Sequence, residues 1–272
     1  MSAHPSSTEF SPYAIRRIIL EQSKRANVGH IGSCLSVVDI LFSLYKNVLH
    51  IKKPDDPLRD RFILSKGHAA LALYAVLHLK GWLSRSDLET FCGDNSWLGV
   101  HPEYALPGVD FSTGSLGLGL SMGTGAALAA RLKKAAYRSF VLMSDAEINE
   151  GSVWEAAMFA AHHRLSNLIA IIDQNGQQAI GYTREVINLE PLRRRWEAFG
   201  WDVLEVNGHD VDQMNQVIAS LKTNIDKPHL VVARTKFGKG VAFMENKIKW
   251  HYWPMSDEEF KTAMEDIGKE SN

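Results

Sequence analysis

The sequence predicts an α/β fold: a doubly wound, mostly parallel sheet with helices on both faces. Three observations carry this. Residues 140–143, 168–172 and 230–233 are continuous apolar runs, the pattern of strands buried on both faces. Helical patterns lie between these runs at the spacing of strand–helix–strand units. The chain has 272 residues, 45% hydrophobic and 22% charged, with no solenoid repeat, low-complexity tract or linker. A single domain spanning residues 1–272 is the economical expectation.

The elements follow in order. Ser11 and Pro12 read as an N-cap and a first-turn proline. They open an apolar-periodic helix through Ile15, Ile18 and Ile19. A second helix runs through Val37, Ile40, Leu41, Leu44 and Val48. Residues 61–64 make a short strand. A third helix carries Leu71, Leu73, Val76 and Leu77 and stops near Gly81. Residues 111–130 carry no charge and are long enough to span a bilayer, but they hold five glycines and five Ser/Thr. They read as a glycine-rich loop running into a buried helix. A helix over 153–165 joins the first two apolar runs. Residues 192–199, a strand at 203–206 and a helix over 211–221 precede the last run. The first ten and last six residues are polar and expected to be loose.

Composition narrows the function classes. A net charge of −1 gives no support for nucleic acid or a membrane surface as partner. The two cysteines, Cys34 and Cys92, make neither a disulfide framework nor a cysteine-rich zinc site, and both are expected to be buried apolar fillers. The N-terminus lacks the basic-then-apolar pattern of a secretory signal, which predicts a cytoplasmic protein.

Ligands of such sheets bind beyond the carboxyl ends of the strands. Asp145 and Asn175 stand just past two consecutive predicted strands, 30 residues apart. A right-handed crossover leaves both ends on one sheet edge. A carboxylate and an amide there suit Mg²⁺, which takes its other ligands from phosphate and water. Taken singly, Asp145 would be a helix cap and Asn175 a turn residue; with Glu150-Gly151 opening the next helix, the metal reading is favoured. The run from Ser112 to Gly119 exposes backbone N–H groups to a ligand. It is not a dinucleotide fingerprint: no apolar strand precedes it, and Gly123 falls one residue too late. Close helix packing is its alternative role. His30, His68, His101 and His251 lie in glycine-, proline- or aromatic-rich contexts that suggest a polyhydroxylated substrate. His162 and His163 read as helix surface or packing, with no partners for a zinc site.

These motifs resemble one family, transketolase, through its N-terminal diphosphate-binding domain. The segments carrying the resemblance are 26–32, 59–68, 101–103, 107–109, 113–117, 144–151 with 175–176, and 239–241 with Trp250-His251. The sequence departs from the family pattern at Ser144 and Ala146, which replace glycines. Ile31 and Ser115 stand for prolines, Leu118 for glutamine and Tyr252 for glycine.

The resemblance implies thiamine diphosphate and Mg²⁺ as cofactors, with Asp145, Asn175 and the Gln177 carbonyl on the metal. It implies that Gly114, Leu116, Ala146 and Glu150 touch or support the cofactor, that His68 and His251 meet the diphosphate, and that His30 and His101, with His251, serve catalysis. The implied reaction passes a two-carbon ketol unit from a ketose, phosphorylated or otherwise acidic, to an aldose. The glutamate that activates the aminopyrimidine is implied on a separate C-terminal transketolase subunit, in a two-plus-two heterotetramer. The alternatives are an α-type subunit of a 2-oxoacid dehydrogenase, a non-catalytic subunit, or a deoxyxylulose-phosphate synthase fragment. A nicotinamide enzyme is more distant.

Overall fold

The structure, a computed structural model, describes residues 10–222 and 225–269. In chain order the strands are β1 (Arg61–Leu64), β2 (Ser139–Ser144), β3 (Leu168–Gln174), β4 (Gln177–Gln178), β5 (Gly181–Tyr182), β6 (Asp202–Asn207) and β7 (His229–Arg234). Five form one sheet in the order β1-β2-β3-β7-β6, with every neighbour pair parallel. β4 and β5 form a small antiparallel hairpin directly after β3. The three apolar runs are β2, β3 and β7, buried strands as expected, and they occupy the centre of the sheet.

The helices are α1 (Pro12–Ala26), α2 (Ile31–Ser36), α3 (Val38–Ser43), α4 (Ala70–Leu79), α5 (Arg85–Leu88), α6 (Gly119–Leu132), α7 (Gly151–His162), α8 (Thr183–Val186), α9 (Leu192–Ala198), α10 (Val211–Ala219) and α11 (Asp257–Lys269). Strand residues alternate between two cores. Phe62, Phe140, Leu142, Ile169, Ile171 and Val231 pack with α1–α4, α10 and α11. Ile63, Val141, Met143, Ala170, Ile172 and Val232 pack with α6, α7 and α9 on the other face. This two-sided burial is why the strands read as unbroken apolar runs.

Local chemistry explains the ends. The Ser11 hydroxyl accepts the Ala14 N–H at 3.2 Å, and Pro12 starts α1. Gly81, at φ 76, lies just past the end of α4. α6 lies so close on β2 that a Cβ at Gly123 would stand 2.2 Å from Val141 Cγ2, which explains the small residues.

Several expectations need correction. The second predicted helix, Val37 to Val48, is α3 followed by a π-helical turn, Leu44–Val48, and a short helix the sequence reading did not predict, α2, precedes it across Val37. α6 is buried on one face only; Ser121, Gly125 and Leu132 face outward. The helix predicted over 153–165 is α7, which ends at His162. Cys92 is exposed, at φ 55 in a turn, while Cys34 is buried. The last six residues are not all loose: α11 continues to Lys269 and buries Ile267, so only residues 270–272 lie outside the described residues. Of the first ten, residues 1–9 also lie outside them, and Phe10 packs on the core. Among the described residues, no helix is long and apolar enough to cross a membrane.

Candidate active site

Beyond the carboxyl ends of β1, β2 and β3 the chain forms a cleft of about 220 Å³. The turn after β1 contributes Lys66 and His68, and the last residue of β2 and the turn after it contribute Ser144 and Ala146. Asn175, Gln177, Gln178 and Ala179 follow β3. The start of α2 brings His30 and Ser33, the long connection before α6 brings His101, Gly114 and Leu116, and the segment before α11 brings His251 and Tyr252. Nine of the sequence-predicted site residues therefore line one cleft: His30, His68, His101, Gly114, Leu116, Ala146, Asn175, Gln177 and His251.

Two do not. Asp145 lines an adjoining cleft with Ile148, Gln174, Thr183 and Arg184. Glu150, expected to touch the cofactor or support its site, is the exposed N-terminal cap of α7 and lines neither cleft. It packs behind the glycine-rich loop, where a Cβ on Gly117 (φ 86) would lie 2.5 Å from the Glu150 Cβ.

Parallel pairing puts Asp145 and Asn175 on one edge, since Ser144 is in register with Asp173. The Asp145 carboxylate accepts the Ala146 N–H at 2.9 Å and the Gly176 N–H at 2.8 Å. Burial, aided by the nearby Asp173, pushes its carboxyl up to about 7. The Asn175 amide donates to Asp173 Oδ2 at 2.8 Å, and its oxygen accepts the Gln177 N–H at 3.0 Å. The amide is thus fixed with its oxygen on the side away from Asp173. Among the described residues no three His, Cys, Asp or Glu converge as a metal cluster. A carboxylate and an amide are the donors that suit a phosphate-bridged Mg²⁺.

Behind this edge lies a polar hub that the sequence reading missed. Asp173 is fully buried and accepts from Lys66 Nζ at 2.5 Å, from the Ser36 hydroxyl at 2.8 Å and from the Thr235 hydroxyl. It ties together β1, α2, β3 and β7. An acidic residue ending an otherwise apolar run was the available signal.

A second missed group is Glu147. Its buried carboxylate accepts the Ser65 hydroxyl, the Gly117 N–H at 2.8 Å and the Ser144 N–H at 3.2 Å. Burial raises its carboxyl above the usual range, against these donors. It clamps the glycine-rich loop onto the ends of β1 and β2. Thr113 adds a hydroxyl bond to the Leu64 carbonyl at 2.7 Å.

The histidines converge from distant segments. The His30 N–H donates to the His251 carbonyl at 2.8 Å, and the His30 and His68 rings are 5.4 Å apart. Phe237 packs 4.5 Å from His251. Burial, then the Lys66 ammonium, lowers His68 well below the usual imidazole range and brings His251 to about 4. His30 is lowered by burial, His101 and Lys66. These imidazoles are neutral at neutral pH, each able to donate and accept. His30 Nδ1, His251 Nε2, Ser33 Oγ, both polar atoms of the Gln177 amide and Gln178 Nε2 are buried without a partner. Six orphaned polar atoms around one cleft call for a strongly polar ligand.

Residues 9–272 match the family described as transketolase, thiamine diphosphate binding domain. The chain belongs to the transketolase family. It is 43% identical over 256 residues to an apulose-4-phosphate transketolase subunit of Phocaeicola vulgatus, covering 93% of this chain and 91% of the relative. It is 38% identical to a 6-deoxy-6-sulfo-D-fructose transketolase subunit of Clostridium sp., over 99% of both chains. The crystal structure of Campylobacter jejuni transketolase superposes with a TM-score of 0.87 at 34% identity, covering 93% of this chain and 41% of that one. Leishmania mexicana transketolase gives 0.89 at 30% identity, covering 97% of this chain and 42% of that one. The chain thus has the extent of these separate transketolase subunits and about two fifths of the solved transketolases.

Proposed function

We propose that this chain is the thiamine-diphosphate-binding subunit of a two-component transketolase, passing a two-carbon ketol unit from an acidic ketose to an aldose. The observation that carries it is the cleft itself. A carboxylate and an oriented amide stand at consecutive strand ends, beside buried polar atoms without partners. The subunits it resembles are named for a sugar phosphate and a sulfonated sugar, which supports an acidic donor.

The residues fit thiamine diphosphate with Mg²⁺. Asp145, Asn175 and the Gln177 carbonyl would hold the metal, and His68 and His251 the diphosphate. Gly114, Leu116 and Ala146 would border the cofactor. When bound, thiamine diphosphate supplies the carbon that takes up the two-carbon unit. This chain's part is to bind, orient and move protons. His30, neutral through burial, and His101 accept sugar hydroxyl protons or donate to the developing oxyanion at their ring nitrogens. Buried Lys66 adds positive potential behind them. Ser144 and Ala146 put small side chains where the backbone approaches the cofactor.

The active unit we propose is two copies of this chain with two copies of a C-terminal transketolase subunit, in the cytoplasm. The thiols, free among the described residues, suit a reducing compartment. The chain alone should fold as one domain yet transfer no ketol unit. The test is ketol transfer by the chain alone and by the chain mixed with its partner, across a panel of ketoses. Full transfer by the isolated chain, or none by the pair, contradicts the proposal.

A further inference from the structure

Tyr252 plays no part in the proposed chemistry, yet its position is built. It borders the cleft and is 62% exposed. Its backbone is seated directly on Gly29, where any Cβ would lie 2.3 Å from the Tyr252 carbonyl oxygen. The neighbouring His30-to-His251 backbone bond stitches the same two segments together. Its ring stands edge-on to His30, with centroids 5.6 Å apart, and 6.3 Å from His251. The backbone N–H donates to the Lys249 carbonyl at 3.3 Å. The phenolic hydroxyl makes no hydrogen bond among the described residues.

The rest of the cleft narrows what this ring can meet. The only cationic side chain lining it, among the described residues, is Lys66, which is fully buried and bound to Asp173. Among the described residues, no free ammonium or guanidinium lines this cleft to pair with a sugar's phosphate or sulfonate. A sugar passing His30 toward the mouth meets neutral groups, and an aromatic ring with a hydroxyl tip matches its mixture of C–H and O–H.

We propose that Tyr252 is a specificity-determining residue that hydrogen-bonds a hydroxyl on the part of the ketose beyond the two transferred carbons. This rests on the ketol-transfer reading. A site built to bond a hydroxyl discriminates against donors lacking it. One neutral hydrogen bond corresponds to roughly a five- to tenfold change in affinity.

The experiment offers two donors to the loaded complex of this chain with its partner. One is a ketose phosphate; the other is 3-hydroxypyruvate, which delivers the same two carbons without a sugar chain. Tyr252→Phe should lower the ratio of kcat/KM for ketose over hydroxypyruvate by about five- to tenfold, mostly through the ketose KM. Tyr252→Gly, which also removes the ring, should lower it further. Cofactor titration by calorimetry confirms that each variant still binds thiamine diphosphate. A ratio within about twofold of the parent in both variants overturns the proposal, as does an equal loss with both donors. A parent complex inactive with both donors overturns the ketol-transfer reading and this inference with it.

Discussion

Lys66 and Asp173 form an ion pair of 2.5 Å in which both side chains are wholly shielded from solvent. Burial works against the charge on Asp173, yet Lys66 and the Thr235 and Ser36 hydroxyls hold its carboxyl below the usual range. Asp173 in turn orients the Asn175 amide. The pair therefore joins the core of the sheet to the candidate metal edge. Lys66→Met should destabilise the chain by about 3–5 kcal/mol, because it strands a buried carboxylate. Urea denaturation measures this; a loss under about 1 kcal/mol would show that the pair is dispensable.

Glu147 gives a second prediction. Glu147→Ala removes the acceptor of three donors, at Ser65, Gly117 and Ser144. Each donor left buried and unpaired costs about 1–3 kcal/mol. The variant should unfold at markedly lower urea concentration and bind cofactor more weakly, since the glycine-rich loop loses its clamp. Parental affinity in a folded variant would free that loop from dependence on Glu147.

The sheet was legible because its strands are buried on both faces, so Val141 and Leu142 are both apolar although they face opposite cores. The strand-end rule located Asp145 and Asn175 without any contact information. The clustering of His30 with His251, 221 positions apart, was not legible in spacing. It depends on a backbone bond between two loops and on the Gly29 contact with Tyr252. The Asp173 hub was hidden for a similar reason: its partners Ser36, Lys66 and Thr235 are ordinary polar residues until the fold brings them together. Glu150 opens α7 after the 3₁₀ turn Glu147–Asn149, and that turn puts Glu147, which no spacing singled out, as the buried carboxylate at the strand ends.

His101 tests the division of labour. Its ring borders Gly114, where a Cβ would lie 3.2 Å from the imidazole. His101→Ala should lower turnover by roughly 10²–10⁴-fold, the usual contribution of a general acid–base group. The affinity for thiamine diphosphate should stay within about threefold. Steady-state kinetics paired with calorimetry separates the two; parental turnover would remove His101 from catalysis.

His251 predicts a pH dependence for the cofactor-free chain. It is buried, and its imidazole titrates at about 4, well below the ordinary 6.5. The native state therefore favours the neutral ring. Its contribution to stability is complete above about pH 6.5 and is lost as pH falls toward 4, by an amount on the order of 3 kcal/mol. His68 acts in the same direction. Urea midpoints at several pH values between about 7.5 and 4.5 should show this decline, and His251→Gln should flatten it. An unchanged profile in the variant would assign the decline to other groups.

Asp145 and Asn175 are proposed as the metal edge of a thiamine diphosphate site. The direct measurement is calorimetric titration of the chain, in complex with its partner, by thiamine diphosphate with Mg²⁺ and after chelation. The parent should bind only when Mg²⁺ is supplied, because the diphosphate needs a cation between itself and the Asp145 carboxylate. Asp145→Ala, checked to be folded, should show no Mg²⁺-dependent binding. Equal affinity in the variant, or parental binding unaffected by chelation, would rule out Asp145 and Asn175 as metal ligands.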